Sequence, residues 1–286
     1  MRNLWMPRDP IWDERPEYFE IDVDHHFANR LVFAGLGAHS GGTYFHDSSV
    51  YQNHGTLTGA STRQDAITWL VGRDDSGFQY NTFPSTLSPD GWTDFTVAMW
   101  FIIFGLDAAT GKDWNYFFSS GYYAADNDFV LLCNRHTTTN SHEIRLYINH
   151  NVQATIEPGA AGWTVNEPYH LAFTRRGTTI TRYLNGASQG TDSYGTAVGA
   201  SGATSYLGIP DTGYALDSDL ADPMLYTRGL GSAEISALAD PSNVMLSGLI
   251  LPPTRKWWPV VSGAPAANAP TGHLYGSLVG PLGGPI

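Results

Sequence analysis

The amino-acid sequence predicts an all-β protein, an antiparallel two-sheet sandwich with one short helix and an extended arm at each end. Three observations predict it. Charged residues are only 15% of the 286, and Gly, Ser, Thr, Asn and Asp supply the polarity instead. Such a mix suits short strands joined by tight turns. Long helices want Lys, Glu, Ala and Leu on their exposed faces, and this chain has only two lysines, Lys112 and Lys256. Apolar runs of strand length recur through the middle of the chain, punctuated by Gly, Asn, Asp and Ser. Hydrophobic residues reach 42%, enough for a substantial core.

The chain falls into three zones. Residues 1–24 form an N-terminal arm rich in Pro, Asp, Glu and aromatics, without clean periodicity. Residues 25–251 form the sandwich, and residues 252–286, dominated by Pro, Gly and Ala, form a C-terminal arm. Within the body, Phe95–Phe104 is apolar on both faces, as in a central strand with both sides covered. Ile144, Leu146 and Ile148 alternate with Arg145, Tyr147 and Asn149, a half-buried pattern. Tyr169–Arg175 and Thr179–Leu184 flank Arg176-Gly177-Thr178 and read as a hairpin; Asn185-Gly186 is a second turn signal. One helix is expected over Gly231–Ala239, with Ser232 as its cap, an early Glu234, and Ile235 and Leu238 on one face.

Composition excludes several functions. Net charge is −12, so the Lys/Arg-rich surface that grips nucleic acid or an anionic membrane is missing. Cys133, the one cysteine, makes no internal disulfide and lies in the apolar run Phe129–Cys133, where it reads as a small buried hydrophobe. Met1–Arg8 lead into no apolar stretch, so neither a secretory signal nor a membrane helix is expected. There is no Gly-x-Ser-x-Gly elbow, phosphate loop or zinc spacing; His25, His26, His136, His142 and His150 read as structural or surface residues.

Four segments in order carry a resemblance. His46-Asp47-Ser48-Ser49-Val50-Tyr51-Gln52-Asn53-His54-Gly55-Thr56-Leu57 opens on Asp-x-Ser and closes on Asn-His-Gly-Thr. Asp94–Trp100 carries Phe-Thr-Val-x-x-Trp. Pro168–Thr174 is followed by Tyr183-Leu184-Asn185-Gly186, and Asp219–Leu230 by Ala233-Glu234-Ile235. Together they resemble the signature strands of laminin-G-like (concanavalin A-like) jelly-roll domains over roughly residues 27–250. Ser49 stands where the family has Gly, and Gly231 where it has the helix-capping Ser. Pro223 interrupts the last strand, a position tolerated on an edge strand or at a bulge. The family includes carbohydrate-binding modules, adhesion modules, pieces of secreted enzymes, and phage and prophage particle proteins. One domain with a Pro-rich tail and no signal peptide is similar to the last group.

The resemblance and the residues nominate several sites. The family's rim calcium would fall to Asp47 and Asn53 with Asp217 or Asp219; on the residues alone, Asp47, Ser48 and Asn53 also read as side-chain turn bonds. No cofactor is otherwise required. Glu20-Ile21-Asp22-Val23-Asp24 resembles a motif of retaining β-glucanases, and an extended backbone would set Glu20, Asp22 and Asp24 on one face. Its last acid is Asp rather than Glu, falls one position early and precedes the first clear strand, so it reads as a solvated acidic arm and no catalytic residue is expected. Trp114, Tyr116, Phe117, Phe118, Tyr122 and Tyr123 cluster in a loop-like stretch that reads either as a sugar-stacking platform or as packing. Residues 252–286 bury too little to offset their ordering entropy alone. Arg255, Lys256, Trp257 and Trp258 are their candidate anchor on a partner. The expected function is a non-catalytic virion structural protein, a capsid decoration (cement) or head- or tail-attached fibre component. Its partners would be capsid protein or copies of itself. The alternative is a carbohydrate-binding adhesin or receptor-binding module for a host-surface glycan, with a glucanase third.

Overall fold

A computed structural model of the protein describes residues 20–36, 44–58, 61–64, 68–71, 80–103, 114–120, 129–135, 142–157, 162–200, 202, 204–208, 218–240 and 249–251. The chain divides into a body, Met1–Pro253, and a second unit, Thr254–Ile286, which lies outside the described residues. The body opens with β1 (Glu20–Ile21), β2 (Leu31–Ala34), β3 (Tyr44–Phe45), β4 (Gly55–Thr58), β5 (Ser61–Gln64), β6 (Thr68–Val71) and β7 (Tyr80–Phe83). Then come β8 (Phe95–Ile103), β9 (Trp114–Ser120), β10 (Phe129–Arg135), β11 (His142–Ile148) and β12 (Asn151–Ile156). The chain continues through β13 (Pro168–Arg176), β14 (Thr179–Leu184), β15 (Ala187–Ser193), β16 (Ser205–Gly208), β17 (Ser218–Tyr226), helix α1 (Ser232–Leu238) and β18 (Ile250–Leu251).

Two antiparallel eight-stranded sheets result. The first runs β12-β11-β10-β9-β16-β7-β4-β3; the second runs β15-β14-β13-β8-β17-β6-β5, with β2 also paired to β17. The all-β two-sheet jelly roll with one short helix is the architecture the sequence predicts. β8 shows why its residues are apolar throughout. Phe95, Val97, Met99, Phe101 and Ile103 enter the core between the sheets. Ala98, on the opposite face, joins a second cluster formed with Ala172, Met224, Tyr226, Phe27 and the α1 residues Ile235 and Leu238. The second sheet is therefore buried on both faces, and β8 lies at its centre between β13 and β17. Each fully buried Phe or Met contributes about 1.5–3 kcal/mol.

Local expectations meet the structure unevenly. The β13–β14 hairpin turns on Gly177 (φ 58°), and the β14–β15 turn uses Asn185 (φ 49°) and Gly186 (φ 79°), the positive-φ pair of a tight hairpin. A Cβ on Gly186 would lie 3.1 Å from Ser236 Cα, so glycine also lets α1 pack closely. Gly231, not Ser232, is the helix N-cap; its N–H donates to the Glu234 carboxylate at 2.8 Å. Arg228 pairs with the same carboxylate at 2.8 Å, and these bonds hold its pKa below the usual range against the opposing effect of burial. Pro223 sits at a bulge where the β17–β8 register skips from Ala221 to Met224. On the other edge of β17, β6 pairs at Asp219 and Leu220 and β2 resumes at Met224, so proline interrupts no ladder bond there. Tyr147, expected on the exposed face of β11, is buried with Tyr116, Val130 and Leu132, because that side of the first sheet is also covered. Residues Glu20 and Ile21, assigned by sequence to the N-terminal arm, belong to the body: they pair with Leu251 and Ile250, and Ile21 joins the outer cluster.

Two ionisable groups on the second sheet, buried His170 and half-buried Asp222, generate opposite pH dependences. His170 on β13 is 2% exposed and packs edge-on to Trp100 at 5.2 Å. Burial pushes its imidazole down to about 3 from 6.5. The unfolded chain therefore binds more protons between those values, and the His170 contribution is lost as pH falls below about 6.5. Burial pushes the Asp222 carboxyl up to about 7 from 3.8. Here the folded chain binds more protons, and stability is lost as pH rises through that window. On acidification from about pH 7 to 4, His170→Gln should gain urea midpoint relative to wild type and Asp222→Asn should lose it. Parallel pH profiles for all three proteins would refute both assignments.

Candidate functional site

The segment His46–Leu57 is organised by Asp47, which is 1% exposed. Its Oδ1 accepts from Ala34 N at 2.9 Å and Ser49 N at 2.8 Å. Its Oδ2 accepts from Ser49 Oγ and Asn53 N, each at 2.7 Å. Its own N–H donates to His54 Nδ1 at 3.1 Å. Asn53 carries the network onward: Nδ2 donates to Val32 O at 3.0 Å, and Oδ1 accepts from Thr86 Oγ1 at 2.7 Å. A Cβ on Gly55 would come within 2.7 Å of Phe83, so the close approach of β4 to that ring requires glycine. The Asp, Ser, Asn, His and Gly of the signature thus each have a structural task.

This geometry does not fit the expected calcium site. An ionised carboxylate has about four acceptor positions, and the four donors around Asp47 fill them. Asp219 lies elsewhere on β17, opposite Ile102, whereas Asp47 bonds to Ala34, which faces Met224. Asp217 lies outside the described residues. Among the described residues no three His, Cys, Asp or Glu side chains are close enough to hold a metal.

The network instead shapes a cleft of about 390 Å³ lined by Val32, Tyr51, Asn53, Thr86, Ser88, Trp92 and Thr227. Tyr51 is 59% exposed, so its ring is open to a ligand. Trp92 is half-buried, with one side packed on the core. Backbone bonds from Val198 N to Trp92 O at 3.0 Å and from Gly91 N to Val198 O at 2.8 Å hold its loop. Thr86 and Ser88 project from and follow the 3-10 turn Ser85–Leu87, anchored by buried Leu87. Ser88 Oγ donates to Asp90 Oδ1 at 2.5 Å and lies 2.8 Å from Ser120 Oγ. With its proton committed to the carboxylate, Ser88 receives the Ser120 proton. Among the described residues the lining has no carboxylate, imidazole, ammonium or guanidinium. Its size and its mix of aromatic, hydroxyl and amide groups suit a small polar ligand with an apolar face.

Of the two readings of the aromatic cluster, packing holds for its described side chains. Trp114 to Phe118 lie on strand β9 rather than in a loop. Tyr116 is 1% exposed and packed with Val130, Leu132 and Tyr147, and Phe117 and Phe118 both enter the core. A β-bulge between β9 and β10 puts these two consecutive rings on one side. The Trp114 side chain, Tyr122 and Tyr123 lie outside the described residues, as do Arg255, Lys256, Trp257 and Trp258. Glu20, Asp22 and Asp24 do not share an extended face: β1 ends at Ile21, and Asp22 Oδ1 caps the Asp24 N–H in a turn at 3.0 Å. Cys133 is buried, and burial pushes its thiol up to about 12, as befits packing rather than reactivity. The His25 and His26 rings lie tilted at 34° with centroids 4.6 Å apart, His142 O accepts from Trp163 Nε1 at 2.6 Å, and His150 occupies a turn; His136 lies outside the described residues. The cleft residues Tyr51, Thr86, Ser88, Trp92 and Thr227 went unnominated because they come from separate chain segments. The Tyr51 position within the signature was the one available signal.

A laminin-G family described as the concanavalin A-like lectin/glucanases superfamily matches residues 74–236, more than half of the chain. The chain belongs to that superfamily. No curated protein matches it. Among solved structures, this superfamily member is similar to the binding domain of Paraclostridial Mosquitocidal Protein 1, with TM-score 0.57 and 13% identity over 75% of this chain and 52% of that one. The binding domain of botulinum neurotoxin serotype D gives TM-score 0.55 and 13% identity over 74% and 52%. A Trypanosoma rangeli sialidase in complex with sialic acid gives TM-score 0.53 and 16% identity over 76% and 33%. The chain spans about a third of the sialidase and about half of each toxin chain. At these identities the likeness is one of fold.

Asp47→Ala should destabilise the protein by about 3–5 kcal/mol, since three buried backbone N–H groups lose their acceptor. Chemical denaturation measures this, and a loss below about 1 kcal/mol would show that the network relaxes. Added calcium or chelator should leave the melting temperature unchanged; a calcium-dependent rise would restore a rim site.

Proposed function

We propose that the chain is a non-catalytic carbohydrate-binding module. The carrying observation is the cleft that joins an exposed Tyr51 and a half-buried Trp92 to Asn53, Thr86, Ser88 and Thr227. The C–H face of a pyranose packs on aromatic rings while its hydroxyls exchange hydrogen bonds with amide and hydroxyl groups. Two of the structural neighbours are named as binding domains and one as a sialidase bound to sialic acid, which supports a binding role for this fold. Acid–base hydrolysis of a glycoside ordinarily needs two carboxyl groups across the bond, and the described residues of the cleft lining supply none. Trp92→Ala and Tyr51→Ala should each weaken glycan binding at least tenfold on a glycan array or by calorimetry, with the fold retained. Wild-type protein and Glu20→Gln should alike release no sugar from β-glucan; release lost in Glu20→Gln would establish a glucanase.

A second reading makes the module a component of a virus particle, a decoration protein or a fibre part anchored through residues 1–19 and 252–286. It is favoured by the pairing of Glu20 with Leu251, which sets the first and last described residues of the body side by side. Capsid protein or further copies of this chain would be the partners. Removing residues 252–286 should abolish self-association or particle binding while glycan binding persists. A full-length chain that stays monomeric and binds no particle component would rule this reading out.

A further inference from the structure

We infer that the cleft selects uncharged pyranose units and discriminates against acidic sugars. The inference rests on the carbohydrate-binding reading and specifies its ligand class. It follows from where the protons go. Thr86 Oγ1 spends its proton on Asn53 Oδ1 at 2.7 Å, so it meets a ligand as an acceptor. Ser88 Oγ spends its proton on Asp90 Oδ1 at 2.5 Å. Two of the cleft's hydroxyls therefore have no proton to offer unless the network breaks. A neutral sugar hydroxyl is a donor and satisfies Thr86 directly. A carboxylate or sulfate is acceptor-only and meets a lone pair there.

Charge reinforces the proton arrangement. Recognition of a sugar carboxylate favours a guanidinium, which supplies paired N–H donors in a fork. None of the seven lining residues is cationic. Arg228, next to Thr227 in the chain, is committed elsewhere: Nε donates to Asn29 O at 2.9 Å, and Nη2 donates to His26 O at 3.1 Å and pairs with Glu234 at 2.8 Å. The charge that does stand behind the lining is negative. Asp90 holds Ser88 through Oδ1 and accepts Gly202 N through Oδ2 at 2.9 Å. The whole chain carries −12, so the long-range field also repels an anionic ligand.

The test uses the full chain and matched glycan pairs that differ only by a terminal acidic sugar, on an array and by calorimetry at two salt concentrations. Neutral glycans should bind with an affinity that changes less than twofold between about 50 and 500 mM salt. Their sialylated or uronic acid counterparts should bind at least tenfold more weakly. Thr86→Val should lose the neutral ligand at least tenfold, whereas Thr86→Ser should retain it; near-ultraviolet circular dichroism checks that both variants fold. Acidic glycans binding equally or more tightly would overturn the inference. Glycan binding that ignores Thr86→Val and Trp92→Ala would overturn the cleft while leaving a carbohydrate-binding module. Binding of no glycan at all would remove the carbohydrate reading, and this inference with it.

Discussion

The buried carboxylate of Asp47 is the interaction on which the rest of the site depends. A carboxylate removed from water is costly unless donors replace its hydration, and here four donors do so. Those donors come from the end of β2 and from the loop between β3 and β4. One side chain therefore sets the position of Ala34, Ser49 and Asn53 together. From Asn53 the constraint passes to Thr86 and Val32, two walls of the cleft. From Ala34 it passes to Met224 on β17, the strand that also pairs with β8. The same residue that fixes the loop thus ties the cleft to the centre of the second sheet.

The two-sided burial of that sheet has chemical consequences. A sandwich normally exposes the outer face of each sheet, and polar residues there alternate with the core. Here α1, Phe27 and Ile21 cover the outer face of the second sheet. Side chains that the alternation would place in water are enclosed instead. His170 stays neutral for this reason, and Asp222 holds its proton more firmly. Burial is the one cause of each shift.

The fold serves binding domains and enzymes alike, so function has to be argued from side chains. The cleft has rings, hydroxyls and an amide, but no pair of carboxylates. Its polarity is also directional, because internal hydrogen bonds have already consumed the protons of Thr86 and Ser88. That directionality is invisible in a residue inventory and appears once the bonds are traced.

Much of the architecture was legible in the sequence. A run apolar on both faces placed β8, alternation placed β11, Arg176-Gly177-Thr178 and Asn185-Gly186 placed hairpin turns, and Glu234 with Ile235 marked the helix, because each signal is local. The covering of both faces was partly legible in the unbroken apolar run Phe95–Ile103. Other features were decided by contacts between distant segments. Tyr116 read either as part of a sugar platform or as packing, and only the fold decided for packing, since a cover on the first sheet cannot be read from β9 itself. Asp47 and Asn53 looked equally suited to calcium or to turns. Only the positions of Ala34, Ser49 and Thr86 filled their lone pairs and decided for the turns. The cleft draws Val32, Tyr51, Thr86, Trp92 and Thr227 from segments scattered along the chain. By itself the sequence determined which residues form strands and where they turn, and the tertiary structure alone decided which of them meet and which protons remain for a ligand.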